Sequence, residues 1–278
     1  MASYVDAHSH VWTPDVASFP PLPGVFAGDA EHGWSVTSWT GEDLLAAAAP
    51  SGVGRAVLIG HGNIYGNDNT YMIDCCRRHP ESFRIVAQID DRGPDPAGLM
   101  RELLPQGCTG FRLTPGDRAD WLSTPGMHAM WTAAAETRQA MCGLVNVPDL
   151  DEWEAMVAKY PETVVVIDHF CRIGIEGSVS DAEVSRLCAL AKYPLVNVKL
   201  SAFYALGQAT PPCAPPSMQG RLPPPSPPDP DDAIDVWRIR YDDMLPFVRS
   251  LRDAFGAERL MWATDCPYQL YQHYPACE

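Results

Sequence analysis

The first residues of the chain combine side chains that bind metal ions with side chains that move protons. The stretch VDAHSHVW, residues 5–12, places Asp6 two residues before His8 and His10 two residues after it, in a strand-like run. Because side chains alternate along a strand, His8 and His10 should point the same way. Imidazoles and a carboxylate suit Zn²⁺ or Mn²⁺, so the spacing indicates a catalytic centre if other polar residues join it.

Simpler interpretations exist for each of these residues alone. A single histidine at a strand end usually has a structural role, and an aspartate such as Asp6 commonly accepts hydrogen bonds from its own turn. The interpretation of this spacing as a catalytic centre therefore depends on which other residues of the chain lie beside it.

The rest of the chain alternates short apolar runs with segments of helical spacing. Runs typical of buried parallel strands occupy residues 4–12, 55–61, 83–90, 108–113, 141–147, 164–170, 195–201 and 259–265. Helical spacing occupies residues 40–50, 67–79, 95–107, 124–140, 149–160, 180–193 and 240–256. Eight strands and intervening helices in 278 residues predict an α/β fold, a (β/α)8 TIM barrel. A doubly wound sheet is the alternative, and the lack of a glycine-rich phosphate loop after the first strand argues against it.

Two segments depart from the barrel pattern. Residues 205–232 contain ten prolines without hydrophobic periodicity, which predicts an extended or disordered insertion after strand 7. Only 13 residues follow Asp265, too few for the helix that follows the eighth strand of a TIM barrel. We expect one domain, residues 1–278, with that last helix missing or truncated. The outer faces of strands 8 and 1 would then be uncovered, so we expect either a homo-oligomer that covers them or a marginally soluble monomer.

Composition excludes several classes of partner. A net charge of −15 and a pI near 4.8 argue against nucleic acid or anionic membrane as partners. No apolar stretch approaches the ~18 residues of a membrane helix, and the first residues lack a secretory signal. The nine cysteines are scattered and form no C-x-x-C pair, which indicates reduced thiols in a cytoplasmic protein.

Polar residues recur where the predicted strands end. They are His61 after strand 2, Arg112 after strand 4, Asp168 and His169 after strand 6, Lys199 and Ser201 after strand 7, and Asp265 after strand 8. The carboxyl ends of barrel strands meet on one face, where the active sites of this fold are built. So many polar residues on one rim are hard to explain by packing alone. The pattern therefore predicts a functional site that includes His8 and His10.

Four blocks of the chain together resemble the amidohydrolase superfamily. They are VDAHSHVW at strand 1, VIDHF at 166–170, VNVKLSAFY at 196–204 and RLMWATDCPY at 259–268. The resemblance is closer to the amidohydrolase-related (amidohydrolase 2) branch, which includes sugar-acid lactonases and 2-pyrone-4,6-dicarboxylate lactonases. It covers about residues 4–268. It implies a TIM-barrel hydrolase that opens the lactone of a sugar acid or a cyclic dicarboxylic acid.

The resemblance also implies roles for particular residues. His8, His10, His169 and Asp265 would form the catalytic centre, with Asp265 as general base on the hydrolytic water. In metal-bearing relatives the histidines hold the ion, whereas the pyrone-dicarboxylate lactonases work without a metal. Binuclear members carry a bridging lysine at the end of strand 4, where this chain has Arg112. One divalent ion, Zn²⁺ or Mn²⁺, and a metal-independent site both stay open.

The expected partner is a small-molecule substrate, and a carboxylate on that substrate is one possibility. Such a substrate needs residues that bind it. Arg112 and Lys199 are candidates for a carboxylate or hydroxyl, because an arginine fork matches a carboxylate. His61, Ser201 and Tyr204 complete the substrate-binding candidates, and Arg118 is a weaker one.

Two other functions stay open at the level of sequence. One is a non-oxidative, metal-dependent decarboxylase of a cyclic or aromatic acid, since relatives of that kind share the motifs of strands 1 and 8. The other is a catalytically inactive, truncated barrel that acts as a binding protein, suggested by the short C-terminus.

Overall fold

The computed structural model describes residues 4–23, 25, 38–207 and 241–268. Their strands form one eight-stranded sheet in which each strand pairs in parallel with the next along the chain. The strands are β1 Tyr4–Ser9, β2 Val53–Ile59, β3 Phe83–Ala87, β4 Cys108–Leu113, β5 Ala140–Gly143, β6 Val165–Ile167, β7 Val196–Leu200 and β8 Leu260–Trp262. The predicted (β/α)8 TIM barrel is confirmed.

Helices connect these strands. They are α1 Gly41–Ala48, α2 Gly62–Tyr65, α3 Thr70–Arg78, α4 Pro96–Leu103, α5 Pro125–Thr137, α6 Leu150–Lys159, α7 Asp181–Cys188 and α8 Leu245–Phe255. The short α2 was not predicted, because its four residues are too few to show a hydrophobic period. The helix α8 lies between β7 and β8, so it is not the helix that would follow the last strand.

The start of α1 illustrates how the sequence sets a helix boundary. Oγ1 of Thr40 accepts a hydrogen bond from the Asp43 amide at 3.1 Å, and Oδ2 of Asp43 accepts one from the Thr40 amide at 2.9 Å. This reciprocal capping box satisfies two amides that the helix leaves without partners. The similar SDAE pattern at α7 does not form one, because the Ser180 side chain makes no capping hydrogen bond.

The barrel is closed between β1 and the segment that follows β8. Ser9 and Cys266 form a parallel bridge, the His10 amide donates to the Cys266 carbonyl at 2.7 Å, and the Asp265 amide donates to the His8 carbonyl at 2.8 Å. Backbone pairing thus holds His8, His10 and Asp265 in a fixed register, although they are about 255 residues apart in sequence.

A carboxylate reinforces this seam. The Asp6 side chain is fully buried and accepts from the His8 amide at 3.1 Å, from Oγ of Ser9 at 2.7 Å and from the Thr264 amide at 3.0 Å. The Thr264 hydroxyl donates to it as well. Asp6 therefore does more than stabilise its own turn, since it joins β1 to the last segment of the barrel.

The apolar core has two parts. The larger cluster lies between the sheet and the helices and includes Trp12, Trp131, Trp153 and Phe83. A smaller cluster is drawn from strands alone, with Ile59, Val86, Cys142 and Val166 in contact inside the barrel. The barrel interior is therefore filled by side chains, as in other barrels of this size, and the polar residues collect at its end.

Several predicted strands extend too far at their carboxyl ends. The strand β2 ends at Ile59, β6 at Ile167 and β8 at Trp262. His61, His169 and Asp265 consequently lie on the loops just beyond the strands. At His169 and Asp265 the backbone φ values are 52° and 65°, in the left-handed region that ends strand geometry. Non-glycine residues in this region often cluster at functional sites.

Some sequence expectations fall partly or wholly on residues 208–240 and 269–278, outside the described part of the chain. They are most of the 205–232 insertion and the truncation of the last helix. On the outer side of the seam, Val5 of β1 is 40 % exposed, and Leu260 and Trp262 of β8 are partly exposed. An interface on this face stays a prediction.

Two further observations concern the described cysteines and helices. The seven described cysteines are free thiols, and six of them are buried. Among the described helices, none combines the length and the apolar character needed to cross a membrane.

Candidate active site

Three imidazoles surround one carboxylate oxygen at the carboxyl end of the barrel. Oδ1 of Asp265 lies 3.1 Å from Nε2 of His10, 3.4 Å from Nε2 of His8 and 3.9 Å from Nε2 of His169. All four side chains are buried, with at most 6 % of each residue exposed. The structure thus brings together the four residues that the sequence placed in one centre.

The backbone determines which nitrogen of His10 faces Asp265. Nδ1 of His10 lies 3.0 Å from the carbonyl oxygen of Ile59, which can only accept, so Nδ1 carries a proton. A neutral His10 then presents the lone pair of Nε2 to Oδ1 of Asp265, and two acceptors 3.1 Å apart need a positive charge or a proton between them.

His169 is oriented by the loop after β7. Its Nδ1 lies 2.8 Å from Oγ of the fully buried Ser201. If Nδ1 donates to this hydroxyl, Nε2 is left as an acceptor that points to the centre. Burial lowers the pKa of His169 to about 4, so the ring is neutral at pH 7. Ser201 was predicted to bind substrate. In the structure it contacts His169, where it can orient the imidazole ring.

His8 is flanked by a buried ion pair. Nζ of Lys199 lies 3.0 Å from Oδ1 of Asp168 and 3.2 Å from Nδ1 of His8, and none of the three residues is more than 2 % exposed. Burial, together with the charge of Lys199, holds the pKa of His8 well below its usual range. Burial alone would raise the pKa of Asp168. The neighbouring Lys199 and His8 lower it by more, so the pKa lies well below its usual range and Asp168 is ionised.

Asp265 is also ionised at neutral pH. Burial raises its pKa, and the surrounding imidazoles, led by His169, outweigh that effect and hold the pKa well below its usual range. Its second oxygen, Oδ2, accepts a hydrogen bond from the Tyr204 hydroxyl at 2.7 Å. The two oxygens of this carboxylate therefore differ: one is held by Tyr204, and the other faces the histidines.

The centre offers a divalent ion three ligands that lie close together, on His8, His169 and Asp265, whereas His10 meets the same carboxylate oxygen but lies outside that group. Ligands 2.0–2.2 Å from a tetrahedral ion lie about 3.4 Å from one another, close to the 3.1–3.9 Å that separate Oδ1 of Asp265 from the three Nε2 atoms. Suitable atoms of His8, His169 and Asp265 all lie within 4.8 Å of one another. Nε2 of His8 is buried and has no hydrogen-bond partner within the described residues.

Arg112 lies beside this centre, on a cleft at the same face. The cleft is lined by residues of β4 and of the segments that follow β2, β3 and β4, among them Asn67, Gln88, Asp91, Arg112, Arg118 and Trp121. Within the described part of the chain, no carboxylate lies within ion-pair distance of the Arg112 guanidinium. Its charge nevertheless reaches the centre. Burial is the main reason that the pKa values of His61 and His169 are lowered, and the charge of Arg112 is a smaller contribution in the same direction.

The other arginine of the cleft is already paired. Arg118 donates to both carboxylate oxygens of Asp91, at 2.6 and 3.0 Å, and Thr124 donates to the same carboxylate. Arg118 was only a weak candidate for substrate binding. This pairing agrees with that, because Asp91 neutralises its charge within the wall of the cleft.

His61 stands at the edge of the centre. It contacts the hydroxyl of Tyr268, and its ring centroid lies 4.9 Å from that of His10. Burial lowers its pKa well below the usual range. The structure therefore places His61 and Tyr204 against the catalytic cluster, and Lys199 beneath His8 rather than at an open surface.

Two contributions were missed by sequence reasoning. Asp168 was seen next to His169 but was given no role, and the bond between Tyr204 and Asp265 was not expected. Both depend on contacts between loops of different strands, which a single sequence does not reveal. The only available signal was that VIDHF contains two adjacent polar residues in an apolar strand.

A TIM barrel with three histidines and an aspartate at its carboxyl end defines the class of barrel hydrolases that activate water at a histidine-rich centre. The model of one such family, described as amidohydrolase, matches residues 5–278. The chain belongs to the amidohydrolase family.

Two curated relatives are similar over almost all of the chain. The L-fucono-1,5-lactonase of Burkholderia ambifaria is 26% identical over 276 residues, which cover 96% of this chain and 81% of the relative. The 4-sulfomuconolactone hydrolase of Rhizobium radiobacter is 24% identical over 273 residues, with 96% and 76% covered. Both relatives are named for lactones.

Solved structures share the barrel fold. A probable 2-pyrone-4,6-dicarboxylic acid hydrolase from Acinetobacter baumannii, with citric acid bound, has a TM-score of 0.71 at 17% identity and covers 98% of this chain and 86% of its own. A zinc-bound amidohydrolase from Burkholderia multivorans has a TM-score of 0.69 at 19% identity, with 98% and 87% covered. A manganese-bound 5-carboxyvanillate decarboxylase from Novosphingobium aromaticivorans is more distant, with a TM-score of 0.51 at 15% identity and 82% and 71% covered.

Proposed function

We propose that the chain hydrolyses a lactone, with water activated by Asp265. The observation that carries the proposal is the convergence of three imidazole nitrogens on Oδ1 of Asp265 at the carboxyl face of the barrel. Asp265 stays ionised across neutral pH, so Oδ1 has a lone pair for the proton of water. Its low pKa makes it a weak base, so the reaction also needs the centre to polarise the water or the carbonyl group. The lactone-hydrolysing relatives support the same reaction class.

The chemical step divides into addition and ring opening. Oδ1 of Asp265 accepts a proton from water while the water oxygen forms a bond to the lactone carbonyl carbon. An imidazole that presents an N–H to the centre stabilises the negative charge that develops on the carbonyl oxygen. The carbon–oxygen bond of the ring then breaks, and the proton held by Asp265 passes to the leaving ring oxygen. The product is a hydroxy acid.

A divalent ion would be held by His8, His10, His169 and Asp265. When bound, Zn²⁺ or Mn²⁺ would polarise the carbonyl and lower the pKa of water to about 7. Without it, an imidazole donates to the carbonyl oxygen only when its inward nitrogen carries a proton, and the contacts of Nδ1 leave this open for His8 but not for a neutral His10. Ser201 orients His169 in both cases.

The substrate is proposed to carry a carboxylate or another anionic group. Arg112 supports this, because its partly buried guanidinium lines the cleft without a carboxylate partner among the described residues. A partly buried cation without a partner has lost some of its hydration, and an anionic substrate would compensate for that loss. The charge of Arg112 also reaches His61 and Tyr204, which stand against the histidine centre.

The test is a panel of lactones assayed with the protein before and after loading with Zn²⁺ or Mn²⁺. The panel contains sugar-acid lactones, a pyrone dicarboxylate and neutral lactones of equal ring size, and acid release is followed by indicator or titration. We expect hydrolysis that favours anionic lactones and is lost in Asp265→Asn. Carbon dioxide release from aromatic acids, with no lactone opened, would move the chain to the decarboxylases.

A further inference from the structure

We propose that Lys199 is a positioning residue that keeps the proton of His8 on Nε2, and thereby opposes metal binding at that nitrogen, while Asp168 favours the opposite arrangement. The catalytic meaning of this proposal rests on the function proposed above. The metal-binding part does not.

The geometry at Nδ1 of His8 carries the argument. A lysine ammonium has three donors and no acceptor, so Nζ of Lys199, 3.2 Å from Nδ1, can bond to it only when that nitrogen is unprotonated. The neutral ring then carries its proton on Nε2, which points at Oδ1 of Asp265 from 3.4 Å. In this form His8 presents an N–H to the centre and is able to donate to a carbonyl oxygen.

Metal binding requires the other tautomer. An ion on Nε2 needs the lone pair of that nitrogen, so the proton must sit on Nδ1 and needs an acceptor there. Oδ1 of Asp168 is 3.6 Å from Nδ1, so a small movement of the ring would complete that hydrogen bond. The ammonium of Lys199 would then face an N–H group instead of a lone pair. Lys199 and Asp168 consequently act on His8 in opposite directions.

The burial of the three residues makes these preferences strong. His8 and Asp168 are fully buried and Lys199 is 2 % exposed. Bulk water therefore does not compete with Lys199 or Asp168 for Nδ1 of His8. His10 and His169 are held differently, by a backbone carbonyl and a serine hydroxyl. Among the three imidazoles of the centre, His8 is therefore the one whose tautomer a charged side chain determines.

The direct test observes the tautomer in the wild-type protein. The protein is labelled with ¹⁵N at histidine, the metal is removed, and the His8 signals are assigned by comparison with His8→Gln. We expect Nε2 to be protonated and Nδ1 unprotonated. A protonated Nδ1 in the metal-free protein would overturn the proposal, and this result needs no variant of Lys199 to fold.

The second test measures the affinity for Zn²⁺ by competition with a chelator. We expect Lys199→Met to bind Zn²⁺ roughly 10- to 100-fold more tightly, the range over which outer partners of a ligating histidine act. Because this variant leaves the Asp168 carboxylate unpaired, the pair Lys199→Met and Asp168→Asn is tested as well. Its asparagine oxygen still accepts from Nδ1, so it should also bind Zn²⁺ more tightly than the wild type.

Two controls separate this effect from a loss of charge. Arg112→Met removes a positive charge whose field reaches His169 without a contact to His8, and it should leave the His8 tautomer unchanged. Lys159→Met changes an exposed lysine and should leave both readouts unchanged. Folded Lys199 variants with wild-type Zn²⁺ affinity, or with a gain no larger than that of Arg112→Met, would refute the proposal. Neither readout uses a lactone, so inactivity on the lactone panel would count against the proposed function alone.

Discussion

The hydroxyl of Tyr204 donates a hydrogen bond to Oδ2 of Asp265 at 2.7 Å, and this leaves Oδ1 as the oxygen that faces the three histidines. Asp265 lies on the loop after β8 and Tyr204 on the loop after β7, so the contact joins two neighbouring loops. Burial, reinforced by the Asp265 charge, raises the pKa of Tyr204 well above its usual range, so the hydroxyl remains a donor at all accessible pH values.

Tyr204→Phe should lower kcat and reduce the free energy of unfolding, while the protein still folds. The substitution removes a hydrogen bond to a charged group, worth about 1.5–3 kcal/mol, and lets the carboxylate rotate. At about 1.4 kcal/mol per factor of ten, kcat should fall roughly 10- to 100-fold. Steady-state kinetics on an active lactone measure this. Tyr193→Phe, which loses a hydrogen bond to Glu154 far from the centre, is the matched control. A change in KM alone would instead assign Tyr204 to substrate binding.

Asp265→Asn should abolish turnover and leave the fold intact. The amide keeps the shape of the carboxylate but lacks the basic oxygen, and removal of a general base costs about 10²–10⁴-fold. Asparagine also tolerates the left-handed backbone at this position, where φ is 65°. Single-turnover assays and circular dichroism measure the two effects, with Asp151→Asn at an exposed position as control. Near-normal activity would move the role of base to His169.

The sequence was sufficient to predict the barrel and the four central residues. The alternation and the number of apolar runs required only the order of residues along the chain, whereas the choice of the four central residues came from the resemblance of the motif blocks to the amidohydrolase superfamily. The exact strand ends could not be predicted, because the polar residues at 61, 169 and 265 continue an apolar run in sequence while the backbone leaves the sheet.

Contacts between loops were also beyond prediction. Lys199 was expected to bind substrate, since a lysine at a strand end looks available from its position alone. In the structure it is buried against Asp168 and His8, because β1, β6 and β7 bring these three residues together around the barrel axis. Its assignment to substrate binding stays a hypothesis, and its contacts support a positioning role.

Asp6→Ala should destabilise the fold strongly. The Asp6 carboxylate accepts from the His8 amide, Ser9 and Thr264 across the seam that closes the barrel. Each buried donor left without a partner costs about 1–3 kcal/mol, so a loss of at least about 3 kcal/mol in the free energy of unfolding is expected. Urea denaturation measures it. Asp43→Ala, which removes a helix-capping residue of α1, should cost only about 1 kcal/mol. Equal effects of the two variants would show that the seam depends little on Asp6.

Stability should decline in mild acid because buried histidines are neutral in the folded protein. Burial lowers the pKa of His169 to about 4, and it lowers the pKa values of His8 and His61 well below the usual range. In the unfolded chain these rings take up protons at about pH 6.5. Between about pH 6.5 and pH 4 the unfolded state thus binds more protons, and the free energy of unfolding falls as the pH decreases, by roughly 1.4 kcal/mol per pH unit for each proton.

Urea melts of the metal-free protein at a series of pH values from neutral to mildly acid measure this slope. His61→Asn should reduce it, because the asparagine takes up no proton in either state and His61 is not one of the proposed metal ligands. His79→Asn changes a partly exposed histidine paired with Glu42 and should not reduce the slope. A free energy of unfolding that stays constant across this range would show that the folded protein accommodates charged imidazoles, and the neutral histidine centre derived above would then be wrong.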